Sequence, residues 1–124
     1  MLNQSDVIAF IATAEAARAK SFYMDTLGLA LVDDGPFALE FDANGTSLRI
    51  AKVEALSPAP YTVLGWRVSN IHKQVDTLRA NGVHFEDFEG MPQDDRGVWQ
   101  SPGGAKVAWF KDPDGNTLSL TEFE

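Results

Sequence analysis

Histidine and glutamate two residues apart, as in His84-Phe85-Glu86, would share one face of a strand and could in principle hold a divalent metal. A specific site needs a third donor, so no metal is expected there. The other histidine, His72, is expected in the first turn of a helix on a solvated side. Acidic residues cluster at Glu86, Asp87, Glu89, Asp94 and Asp95, but without the alternating ligands and central glycine of a calcium loop. That stretch reads as a solvated loop of about a dozen residues, long enough to work as a lid, with Gly90 and Gly97 near its ends. Ser119 has no histidine spaced as its base, and no G-x-S-x-G surrounds it. The glycines form neither a phosphate-cradling loop nor a dinucleotide fingerprint. Cysteine is absent, which removes thiolate nucleophiles, disulfides, iron–sulfur clusters and zinc fingers together. A buried carboxylate such as Glu40 or Glu122 could serve as a general acid or base, yet the sequence shows no partner for either.

The elements that must position these side chains follow two similar plans. Asp6 to Thr13 reads as an apolar strand, with Thr13 as N-cap of a helix carrying Ala16, Ala19, Phe22, Tyr23 and Leu27 on one stripe and Gly28 as its left-handed C-cap. Strands follow at Leu29 to Asp33, Phe37 to Asp42 and Thr46 to Val53, the last two joined by an Asn44-Gly45 turn. The order then repeats. Thr62 to Ser69 is a strand, Asn70 caps a helix with Ile71, Val75 and Leu78 on one face, and Gly82 ends it. Further strands fit Val83 to Phe85, Gly104 to Lys111 and Gly115 to Phe123, with Asp112-Pro113-Asp114-Gly115 as a tight type I turn. The pattern is a duplicated βαβββ module, with halves at about 1–56 and 62–124 of one domain (1–124), joined by the extended, proline-bearing stretch 57–61.

Composition bounds the function. A chain of 124 residues, 44% of them hydrophobic, is long enough to bury a real core. Its formal charge of −8 argues against nucleic acids and anionic membranes as partners, since both demand clustered Lys and Arg. The N-terminal stretch has neither a basic start nor an apolar run long enough for a signal peptide or a membrane span, so a cytoplasmic location is expected.

Phe22-Tyr23 followed by Leu27-Gly28, the repeated module and the terminal "FKDPDGNTLSL" together resemble the vicinal oxygen chelate superfamily: glyoxalase I, extradiol dioxygenases, fosfomycin-resistance enzymes and bleomycin-resistance proteins. The resemblance spans nearly the whole chain. It implies an α+β fold in which two tandem βαβββ modules form curved mixed sheets around a concave cavity, with the helices outside. Strand parity then turns Ile8, Phe10 and Ala12, Ser47, Arg49 and Ala51, Val63, Gly65 and Arg67, and Thr117, Ser119 and Thr121 toward that cavity, and sends Leu64, Trp66, Leu118 and Leu120 to the core. Metal-dependent members take His, His and Glu from the first, fifth and last strands. Carried over, those positions are Ile8, Val63 and Ser119, and the further glutamate of glyoxalases falls near Arg49 or Ala51, so no metal and no cofactor are expected. Arg49 and Arg67 need anionic partners, which Glu40 could supply internally to one of them or a ligand could supply from outside. Phe10, Phe37, Trp99 and Trp109 could line a pocket for a flat ligand. The reading is a homodimeric, metal-free, bleomycin-resistance-like protein that binds a small organic molecule through Phe10, Arg49, Arg67, Trp99 and Ser119. Its alternative is a lyase, isomerase or dioxygenase of the glyoxalase type with an unconventional metal site or none.

Overall fold

The computed structural model describes every residue, Met1–Glu124, and divides into two compact units, Met1–Ser57 and Pro58–Glu124. The first carries β1 (Ile8–Thr13), α1 (Ala16–Ser21), β2 (Ala30–Asp34), β3 (Ala38–Ala43) and β4 (Thr46–Lys52) in a sheet of order β1-β4-β3-β2. The second carries β5 (Thr62–Arg67), α2 (Ile71–Ala80), β6 (Trp99–Gln100), β7 (Lys106–Lys111) and β8 (Thr117–Glu122) in the order β5-β8-β7-β6. In both, the first strand runs parallel to the last and the other pairs are antiparallel. The duplicated module expected from the sequence is therefore present as two mixed sheets of the same connectivity.

One face of each sheet is apolar and covered. In the first, Ile11 of β1, Leu48 and Ile50 of β4, and Leu39 and Phe41 of β3 are buried together with Ala19 and Tyr23. The Tyr23 and Phe41 rings meet at 5.9 Å. In the second, α2 packs on β7 and β8 through Ile71, Val75 and Leu78, the i, i+4, i+7 stripe read from the sequence. Trp66 stacks on Phe110 at 6.3 Å but stays half-buried, so its expected place in the core holds only in part. Fully burying a side chain such as Phe41 or Phe110 contributes about 1.5–3 kcal/mol, so these faces set the register of every strand.

Three local expectations change. Thr13 does not cap α1, because it is still a strand residue paired with Lys52, and its carbonyl accepts from Val53 N–H. Its hydroxyl accepts instead from Glu15 N–H at 3.0 Å, and Glu15 takes the cap position. The helix is also shorter than expected. After Ser21 it widens into a π turn over Phe22–Thr26 before Gly28, at φ +79°, ends it. Val83 to Phe85 does not join the sheet beyond one bridge, Phe85 to Phe110, and the two-residue β6 takes the fourth place in its stead. The other turn chemistry holds. Asn70 Oδ1 accepts from Lys73 N–H, and Asn44 and Gly45 both have positive φ, as a primed hairpin turn demands.

Candidate functional site

Opposite its covered face each sheet has an open one, and register places residues on it in rows. In the first sheet the middle row is Phe10, Arg49 and Glu40, on β1, β4 and β3. Arg49 Nη1 lies 3.2 Å from Glu40 Oε1, and the Ser47 hydroxyl donates to Glu40 Oε2 at 3.1 Å. Of the two partners open to Arg49, the structure thus shows the internal one. The pair is part-exposed, so its contribution is at most about 1 kcal/mol. Phe10 stands 64% exposed at the end of the row, and Phe37, just before β3, is more exposed still.

In the second sheet the equivalent row is Gly65, Ser119 and Trp109, on β5, β8 and β7. A Cβ on Gly65 would stand 2.9 Å from the Ser119 hydroxyl oxygen, so the missing side chain leaves room that this hydroxyl fills. The next row is Arg67, Thr121, Val107 and Trp99. Trp99 and Trp109 face each other at 6.1 Å, and Phe88 meets Trp109 edge-on at 5.4 Å. Arg67 is exposed and has no carboxylate within ion-pair distance. Its guanidinium carbon lies 5.1 Å from the centre of the Phe123 ring. Arg67, Ser69, Glu122 and Phe123 help to line a shallow pocket of about 430 Å³. Of the five residues singled out from the sequence, Phe10 and Arg49 therefore share one open face and Arg67, Trp99 and Ser119 the other, where Ser119 itself is buried beneath its neighbours.

The three positions where metal-dependent relatives carry ligands hold Ile8, Val63 and Ser119, two aliphatics and a hydroxyl, and no donor set surrounds them. Nowhere do three His, Asp or Glu side chains converge. His84 is almost fully exposed and 3.9 Å from Glu86, whose carboxylate also sits 3.5 Å from Lys111. These residues do not fit a divalent ion. The carboxylates considered for acid–base work are also occupied. Glu40 is held by Arg49 and Ser47, while Glu122 accepts from Ile71 N–H at 2.8 Å, capping α2.

His72 was not expected to have a structural partner, yet its Nε2 is 2.6 Å from Asp94 Oδ2 across 22 residues of sequence. Asp94 Oδ1 also accepts from Arg96 and Val98 N–H. Partial burial of the Asp94 carboxyl acts to raise its pKa, but the bonds from His72, Val98 and Arg96 outweigh it and hold the group below the ordinary carboxylate range. Both side chains line a surface pocket of about 350 Å³ with Gln93, Gln100 and Lys106. Nothing in the sequence pointed to this pairing. The loop read as a possible lid is braced at its base: Gln93 Nε2 donates to the carbonyls of Glu86 and Gly97, and its Oε1 accepts from Phe88 N–H.

The fold is that of known proteins. No curated protein matches the sequence. Among solved structures, a glyoxalase/bleomycin resistance protein/dioxygenase superfamily member from Sphaerobacter thermophilus is similar at 24% identity and TM-score 0.75, over 99% of this chain and 100% of that one. TnmS3, an antibiotic binding protein from Streptomyces, is similar at 22% identity and TM-score 0.69, over 98% of each chain. A lactoylglutathione lyase from Agrobacterium tumefaciens is similar at 18% identity and TM-score 0.69, over 95% of this chain and 93% of that one. Binding protein and lyase share one architecture, so the likeness speaks for fold alone. Residues 5–120 match the family model of the Glyoxalase/Bleomycin resistance protein/Dioxygenase superfamily, and the chain belongs to that superfamily.

Proposed function

We propose that this protein is a metal-independent binder of a small organic molecule, anionic or aromatic, and acts as a homodimer. The observation that carries the reading is the make-up of the second sheet's open face. An exposed guanidinium without a carboxylate partner, a bare glycine with the Ser119 hydroxyl beside it, and three aromatic rings share this face, and none of them is a metal donor. Such a face can stack and ion-pair with a ligand but offers nothing to activate water or polarise a carbonyl by coordination. A relative of the same fold that binds an antibiotic, TnmS3, supports binding as a sufficient function for this architecture. Homodimerisation is the family's implication, and it agrees with the large exposed side chains of Ile8, Phe10 and Phe37. No helix is long and apolar enough to cross a membrane.

The test is a thermal-shift series with the purified protein. Small aromatic acids, amides and amines should raise the midpoint in proportion to the logarithm of their concentration, as any ligand of the native state does. Zn²⁺, Ni²⁺, Mn²⁺ and Fe²⁺ should leave it unchanged, and chelator should have no effect. A stoichiometric metal that stabilises the protein, with turnover of a glyoxalase-type substrate lost on chelation, would instead favour the enzyme.

A further inference from the structure

We propose that the ligand of the second sheet's open face is a flat aromatic carboxylate. Its charged end displaces the Phe123 ring from Arg67, while its ring system lies over Gly65 and Ser119 against Trp109. This deepens the binding role proposed above and rests on it.

Two cations sit on this face, Arg67 and Lys111, and Lys111 is already 3.5 Å from Glu86. Arg67 faces only a ring. A cation–π contact at an exposed site is worth about 2–5-fold in an equilibrium constant, whereas a carboxylate paired to a planar guanidinium through two parallel bonds is worth roughly tenfold or more. Phe123 is thus a weak resident partner that a carboxylate outcompetes. One unpaired cation matches one negative charge. A dianion such as phosphate would meet Glu122 in the same pocket and a chain of formal charge −8.

Shape gives the rest. Gly65 lies on an edge strand and presents bare backbone, with Arg67 beside it on the same strand face and, across a bulge in the strand, the Thr62 methyl 4.0 Å from where its Cβ would be. Two strands away, roughly 10 Å across the sheet, Trp109 stands as a wall buttressed by Phe88 and Trp99. A floor of one glycine and one small hydroxyl beside an aromatic wall accepts a flat ring, and a fused two-ring acid covers that width better than a single ring.

The experiment compares 2-naphthoate with its neutral isostere 2-naphthamide by titration calorimetry on the full chain. Wild type should bind the acid at least tenfold more tightly than the amide. Arg67→Gln should erase that preference and Arg67→Lys restore part of it. Phe123→Leu should tighten the acid about 2–5-fold without tightening the amide, because only the charged ligand competes with the ring. Arg67 and Phe123 are exposed, and unchanged circular dichroism of the variants confirms that folding is not the cause. Equal affinity for acid and amide, indifferent to Arg67→Gln, overturns this inference and leaves the binding role standing. Failure of both probes at millimolar concentration also overturns it, and the binding role falls with it only if neutral and cationic aromatic compounds fail as well.

Discussion

Replacing Gly65 with alanine should have opposite effects in two backgrounds. A Cβ at this position would sit 2.9 Å from the Ser119 hydroxyl oxygen, closer than real Cβ contacts allow, while its next neighbour, the Ser119 carbonyl, is at a tolerable 3.4 Å. Only the hydroxyl has to move. Alanine is favoured over glycine within a strand by about 0.5–1 kcal/mol, because the unfolded glycine has more freedom to lose. Forcing the buried Ser119 side chain from its rotamer costs about 0.5–1.5 kcal/mol, which cancels or exceeds that gain. Gly65→Ala should therefore be neutral to mildly destabilising in wild type. In a Ser119→Ala background, where no hydroxyl stands in the way, it should stabilise by about 0.5–1 kcal/mol. Urea unfolding of the four proteins gives the coupling directly. At an m-value of about 2 kcal/mol/M, a coupling of about 1 kcal/mol appears as a midpoint difference of about 0.5 M. Identical effects in both backgrounds, within about 0.3 kcal/mol, would refute the contact and with it the account of the bare floor.

Asp112 is buried and accepts from Asp114 N–H, Asn116 N–H and Asn116 Nδ2, so Asp112→Ala strands three donors around the turn that feeds β8. The expected loss is about 2–4 kcal/mol, read as a fall in thermal midpoint of about 10 °C, and a change below about 0.5 kcal/mol would show the turn to be held by other contacts. The carboxyl of Asp94 titrates lower in the folded chain than its ordinary 3.8, so the stability it lends is present in full above pH 3.8 and is lost as the pH falls through the folded value. Asp94→Asn should flatten the decline in stability below pH 3.8, measured by urea unfolding at stepped pH, and curves that run parallel to wild type would contradict the His72 contact.

What could be read in the sequence was whatever short-range chemistry dictates. Gly28, Gly82 and Asn44-Gly45 announce their turns because each needs positive φ, and the alternation along β4 and β8 announces which side chains turn away from the helices, because a slip of one residue would expose Leu48, Ile50, Leu118 and Leu120. The partnership of Glu40 with Arg49 was visible as an option, since both lie on neighbouring strands. The choice between it and a ligand was decided by a register that places the two directly opposite. His72 with Asp94 and Arg67 with Phe123 had no such signal. Each joins residues far apart in sequence through side chains whose direction depends on how a loop or a strand end settles, and no local propensity encodes that.

The duplicated module makes the two open faces a controlled comparison. In the registers of the two sheets, Phe10 on β1 holds the place that Gly65 holds on β5, Arg49 on β4 corresponds to Ser119 on β8, and Glu40 on β3 to Trp109 on β7. The first row satisfies itself, with the Glu40 carboxylate accepting from Arg49 and from the neighbouring Ser47 hydroxyl, and a phenyl ring at its end. The second removes both charges, deletes the ring, sets a hydroxyl in the space and raises an indole beside it. A row that has satisfied its own charge gains little from an anionic ligand, because Glu40 already neutralises Arg49. A row without charge, beside a guanidinium held only by a ring, has no ion pair to give up on binding. If the second face binds the ligand as proposed, the same backbone plan carries one closed and one receptive face, and Arg49→Met should cost far less ligand affinity than Arg67→Gln.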